Sequence, residues 1–154
     1  MPQDNNSTQL EKIVNDERLD PADHGKVFQV SFSYKNETGG TLAAGTKIGL
    51  AQLPAGAVAI HGLSQAAHSA LGASRTLDIG HEAYKDKDNN TVAEDLDLLL
   101  DGADVSSAGV ADLNLQGPAY KAESKEGIVI TAEVKGGTIP ANATIDGVIL
   151  FSRA

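Results

Sequence analysis

The chain has 154 residues, 41% of them hydrophobic and 21% charged, with a formal net charge of −9. That length holds one ordinary domain with a real core, and the apolar content argues against wholesale disorder. The absence of cysteine excludes disulfides, thiolate metal sites and cysteine catalysis. An acidic chain without a basic stripe has little to offer nucleic-acid phosphates or anionic membranes, so neither is expected as a partner.

Residues 1–26 carry a net charge of −3, residues 27–77 carry +2, residues 78–112 carry −8 and residues 113–154 carry none. Solubility is the simplest reason for such acidity. Trp is absent and aromatics make up only 4%, so the core must be built from Val, Ile, Leu and Ala. No apolar run reaches the ~18 residues of a membrane span. The start lacks the basic and apolar regions of a signal peptide, so a soluble protein made and used without secretion is expected.

Residues 1–26 read as a polar N-terminal arm ahead of a domain over 27–154. In the arm, Thr8 and Glu11 have capping-box spacing, and Leu10, Ile13 and Val14 follow at helical offsets. A helix this short needs a surface to dock on. Leu10, Ile13 and Val14 are therefore the candidate contacts, either with the chain's own core or with a neighbouring subunit. From Val27 to Tyr34 the sequence alternates, placing Phe28, Val30, Phe32 and Tyr34 on one face and Gln29, Ser31 and Ser33 on the other. That is an antiparallel strand with one wet face. The stretch Asn36–Gly40 supplies a turn.

Further strand-like runs follow at Thr46–Leu53, Ala57–Leu63, Thr76–Gly80, Gly127–Val134 and Thr144–Arg153, separated by Gly, Pro, Asn or Asp. Two segments share one plan, Leu53-Pro-Ala-Gly-Ala57 and Ile139-Pro-Ala-Asn-Ala143. In each, Pro fixes φ and the Gly or Asn two residues later tolerates a left-handed conformation, giving a tight turn ahead of a strand. Over Thr91–Asp101 a helix is expected. Thr91 and Glu94 form a capping-box pair, Val92, Leu96, Leu99 and Leu100 share a face, and Gly102 can end it. A strand through Leu96, Leu98 and Leu100 is the competing reading. Short strands at this spacing predict a mainly β fold, an antiparallel sandwich or barrel-like module with one or two short helices.

Few residues carry a recognisable chemical pattern. Asp86, Asp88 and Asn90 have the one-three-five spacing of a calcium loop, with Glu94 and Asp97 at positions nine and twelve. Position six is Thr91 rather than the Gly that the sharp bend needs, and a polar turn explains the same residues. The Gly62-Leu-Ser-Gln-Ala66 stretch partly matches a nucleophile elbow around Ser64, yet the parallel α/β sheet that an elbow requires is not predicted. The histidines, His24, His61, His68 and His81, lack metal-ligand spacing. Glu94 and Asp95 would point apart on a helix. No catalytic residue, cofactor site or metal site is assigned beyond the weak candidates Asp86, Asp88 and Asn90.

Several segments in order carry a likeness to a known group. They are Leu53-Pro-Ala-Gly-Ala-Val-Ala-Ile60, Ser74-Arg-Thr-Leu-Asp-Ile-Gly80, Tyr84–Asp97, Asp101-Gly-Ala-Asp104 and the terminal Asp146–Arg153. Together they resemble the head decoration, or capsid-stabilising, proteins of tailed bacteriophages over about two thirds of the chain. The resemblance implies a non-enzymatic β-sandwich on the outside of a virion capsid, assembled in the host cytoplasm. It further implies the major capsid protein as partner, a homotrimer as the bound form, and no cofactor. A calcium-dependent or carbohydrate-binding β-sandwich is the alternative, although scarce aromatics count against sugar stacking.

Overall fold

The computed structural model describes residues 27–60, 63–113, 119–121 and 124–153. The expected arm, with Leu10, Ile13 and Val14, lies outside them. The described residues form an all-β fold of antiparallel strands in a sandwich-like arrangement. No helix occurs among them.

A six-stranded sheet is organised by its last strand, β12 (Thr144–Arg153). Along one edge of β12 runs β1 (Val27–Lys35), paired from Val27↔Ser152 to Lys35↔Thr144. Along the other edge lie β3 (Ala57–Ile60) and β4 (Gln65–His68), end to end. Beyond these, β10 (Ala119–Lys121) pairs with β3 and β9 (Gly109–Asp112) pairs with β4. A four-stranded sheet has the order β2 (Lys47–Leu53), β11 (Ile128–Lys135), β5 (Thr76–His81), β8 (Asp95–Asp104). A small hairpin joins β6 (Tyr84–Lys85) to β7 (Thr91–Val92).

Side-chain alternation explains the packing. In β1, Phe32 is buried and Val30 and Tyr34 are half-buried, while Gln29, Ser31 and Ser33 are exposed, as the period-two pattern predicts. Phe28 shares their face but sits at the sheet's end, stacked on Phe151 with ring centroids 5.8 Å apart. Phe32 lies opposite Gly147 in β12, and a Cβ at Gly147 would sit 2.5 Å from the Phe32 ring. Glycine there lets an aromatic ring lie flat on the strand. Ile145, Ile149 and Phe151 from this sheet join Ile48, Leu77, Ile79, Ile130 and Val134 from the other in one buried cluster.

Both predicted tight turns form. Ala57 N–H donates to the Pro54 carbonyl at 3.1 Å with Gly56 at φ 75°, and Ala143 N–H donates to the Pro140 carbonyl at 3.3 Å with Asn142 at φ 60°. Each turn feeds a strand of the same sheet, β3 or β12.

The expected helix over Thr91–Asp101 is not there. Thr91 and Val92 form β7, and the chain then enters β8. The residues read as helix signals serve other ends. Glu94 pairs with Lys47, and Gly102, at φ 64°, donates its N–H to Asp78 Oδ1 at 2.7 Å. Strand β8 follows β5 with register shifts on both sides of Ile79. Those irregularities break the two-residue period, so β8 buries Leu99 rather than an alternating set and mimics helical spacing. Pairing with β5 overrides the local signals.

Where β8 begins, its backbone crosses the outer face of the sheet at Gly80. A Cβ there would fall well inside contact distance of the Asp95 carbonyl oxygen and 2.5 Å from the Leu96 carbonyl carbon. Thr131, paired with Gly80, is fully buried although it belongs to the outward-facing set of β11.

Candidate functional site

The calcium-like residues meet in one turn, the tip of the β6–β7 hairpin. Asp86 Oδ1 accepts the N–H groups of Asp88 at 2.9 Å and Asn90 at 2.8 Å, and Oδ2 accepts Asn90 Nδ2 at 3.2 Å. Backbone bonds between Asp86 and Asn89 and between Asp86 and Asn90 close the same loop, with Asn89 at φ 67°. The hydrogen bond from the Asn90 N–H, above all, holds the Asp86 carboxyl below its usual range. Both oxygens thus accept donors from their own turn, the arrangement of a side-chain-capped turn. Among the described residues, no three His, Cys, Asp or Glu side chains are grouped so as to hold a metal ion.

Beside the hairpin a half-open cleft of about 320 Å³ is lined by Tyr84, Lys85, Ser124, Lys125 and Gly127, among others. Several of its polar groups are bonded locally. Lys85 Nζ donates to Thr91 Oγ1 at 2.5 Å, Gln52 Nε2 to the Glu126 carbonyl at 3.0 Å, and Glu126 N–H to Ser124 Oγ at 3.2 Å.

The elbow residue Ser64 is buried, accepting the Leu150 N–H at 3.0 Å and donating to the Ile60 carbonyl at 3.3 Å. Its hydroxyl ties the β3–β4 link to β12. His68 and His81 are buried strand residues whose Nδ1 atoms face the carbonyls of Ser69 at 3.1 Å and Glu82 at 2.8 Å. His24 and His61 lie outside the described residues.

One carboxyl pair escapes a helical reading. On a strand Asp95 and Asp97 fall on the same side, two residues apart. Burial raises the Asp95 carboxyl above its ordinary range, and Asp97 adds to the rise through a hydrogen bond and like charge, opposed by His81. A second buried carboxylate, Asp78, is 2.5 Å from Lys135 Nζ. Its other oxygen holds the Gly102 N–H, so the group serves the β5–β8–β11 contact.

Over the described residues, the fold is a small two-sheet antiparallel β-sandwich in which Ser64, Asp78 and Asp86 bond backbone groups. Two solved structures share that fold. A chain in the capsid of Ralstonia phage GP4 superposes with a TM-score of 0.62 at 23% identity, covering 84% of this chain and 86% of that one. A chain of the cyanophage Pam1 capsid asymmetric unit gives a TM-score of 0.62 at 17% identity, covering all of both chains. No family model and no curated protein matches the sequence.

Proposed function

We propose that this protein is a structural component of a bacteriophage virion that binds the outer surface of the assembled head and stabilises it. The observation that carries this reading is the agreement in fold with chains of two phage capsid structures, over 84% of this chain in one and all of it in the other. The Pam1 chain is matched over its whole length. The resemblance of residues 53–104 to head decoration proteins points the same way.

In this reading the major capsid protein is the partner, and the bound form is a homotrimer on the capsid exterior. Residues 1–26 act as an arm whose Leu10, Ile13 and Val14 dock on a neighbouring subunit. A shell repeats one site many times, so modest contacts suffice when several linked copies engage together. Stabilisation follows by mass action if the expanded head binds the protein better than its precursor does.

Co-sedimentation with purified heads lacking the protein tests the reading. Saturable binding is expected, weakened when Leu10, Ile13 and Val14 are all replaced by Ser. Absence of binding to expanded heads at micromolar protein would overturn the proposal. Unchanged binding by the triple variant would remove the arm from it.

A further inference from the structure

The two sheets turn unlike outer faces outward. In the six-stranded sheet Ala57, Ala59, Ile149 and Phe151 point into the core, so the pleat sends Val58, Ile60, Val148 and Leu150 to the other side. Register sets these four together. Val58 lies opposite Ser152, and Leu150 comes beside Ile60 one step along from the Phe151↔Ala59 pair. Val148 sits between Ser31 and Gln65. Leu63 and Val110, at the β4 side, are 60% and 64% exposed.

Around this apolar centre stand Gln29 and Ser31, the Gln65–Asp112 hydrogen bond at 2.9 Å and the Ser33–Asp146 hydrogen bond at 2.5 Å. An apolar middle with a satisfied polar rim is the anatomy of a protein interface. The four-stranded sheet presents the opposite: the Lys47–Glu94 and Lys135–Asp78 pairs, Glu133 and the Asp95–Asp97 carboxyls.

Charge decides what fits the apolar face. On the outer side of the six-stranded sheet the described strand residues carry Lys35 against Asp112 and Asp146, a net −1, with both acids hydrogen-bonded to Gln65 and Ser33. The strands of the four-stranded sheet carry Lys47 and Lys135 against Asp78, Asp95, Asp97, Asp101, Asp104 and Glu133, a net −4. Two copies of so acidic a chain repel strongly through the second face and far less through the first, where few charges meet.

We infer that the outer face of the six-stranded sheet, centred on Val58, Ile60, Val148 and Leu150, is where a second copy of this chain packs. The inference gives a face to the homotrimer of the proposed function, and it is tested without any capsid present. The same patch on each protomer meets its neighbour around a symmetry axis, which closes the assembly at a small number of copies.

Sedimentation equilibrium of the full chain reads the association directly. The wild type is expected to be oligomeric, and Val148→Lys to be monomeric with unchanged far-ultraviolet circular dichroism. Burying an unpaired ammonium in the contact would raise the dissociation constant at least about a hundredfold. Because the chain has no cysteine, Val148→Cys supplies a second reading that disturbs the fold less. A maleimide should label it slowly at high protein concentration and quickly on dilution.

A wild type that stays monomeric up to about 100 µM overturns the inference. So does a Val148→Lys protein that remains oligomeric, or a Val148→Cys protein labelled at one rate at all concentrations. If Val148→Lys stays oligomeric but no longer sediments with heads, the shell occupies this face and the second-copy assignment fails. If the wild type is an oligomer through this face yet never binds heads, the inference stands and the virion reading alone fails.

Discussion

Adding one methyl group at Gly80 is expected to destabilise the protein by roughly 3 kcal/mol. The Cβ of Gly80→Ala would collide with the Asp95 carbonyl oxygen and come within 2.5 Å of the Leu96 carbonyl carbon. Both obstacles are backbone, so no rotamer change can relieve them, and β8 must lift away from β5. Overpacking a well-filled site costs about 1–3 kcal/mol, and a clash confined to main chain belongs at the top of that range. At about 2–4 °C per kcal/mol for a domain of this size, the midpoint should fall by roughly 6–12 °C. Gly49→Ala is the matched control, since nothing lies within 4 Å of its Cβ on the exposed side of β2. It should gain about 0.5 kcal/mol from the loss of glycine's backbone freedom. Urea unfolding followed by circular dichroism, with the slope unchanged, measures both. A Gly80→Ala protein within about 0.5 kcal/mol of the wild type would refute the crossing of β8 over β5.

Other substitutions probe separate parts of the account. Leu99→Ala should cost about 3 kcal/mol and Leu98→Ala less than half of that, because Leu99 is the buried leucine of this strand; equal losses in urea unfolding would contradict the strand. Thr131→Val should raise stability by about 1 kcal/mol, since the fully buried Thr131 hydroxyl has no hydrogen-bond partner among the described residues; a lower melting midpoint would show that the hydroxyl is used. The two shifted aspartates should respond to pH in opposite senses. The folded-state carboxyl of Asp86 is held low, so its contribution is present above the unfolded value of 3.8 and lost as pH falls through the folded one. Asp86→Asn should therefore weaken the protein at pH 7, with a gap that closes on acidification. Asp95 is raised, so its contribution is present below 3.8 and lost as pH rises through the folded value. Asp95→Asn should match or exceed the wild type at pH 7 and lose that advantage near pH 3. Urea midpoints across that range read both.

What could be read in the sequence follows from which elements keep a strict period. Strand β1 was legible because one of its faces is wet, so Phe28, Val30, Phe32 and Tyr34 alternate cleanly with Gln29, Ser31 and Ser33. The Pro54 and Pro140 turns were legible because a left-handed third position demands Gly or Asn. Strand β8 was not, because its irregular pairing with β5 breaks the period of two, while Val92 in β7 and Leu96 and Leu100 in β8 happen to fall at helical intervals. Strand β4 hid for another reason. Gln65-Ala-Ala-His68 has no intrinsic strand preference and is extended because β12 and β9 pair with it on both sides.

The candidate site divides along similar lines. The Asp86–Asn90 turn was visible as a polar turn, but the capping role of the Asp86 carboxylate emerges only from geometry. The Asp95–Asp97 pair was lost with the helix, since adjacent turns of a helix and alternate positions of a strand bring different side chains together. The apolar outer face was concealed within β12, where Ile145, Ile149 and Phe151 face the core while Val148 and Leu150 face outward. A run apolar on both sides of a strand implies two buried surfaces, and the sandwich accounts for one of them.

Thermal disruption of purified heads, titrated with the protein, tests the virion role most directly. The account predicts that the disruption temperature of expanded heads climbs with protein concentration and levels off when the sites are filled, while precursor heads respond less. A disruption temperature independent of the protein, at concentrations where it sediments with the heads, would contradict stabilisation as its function.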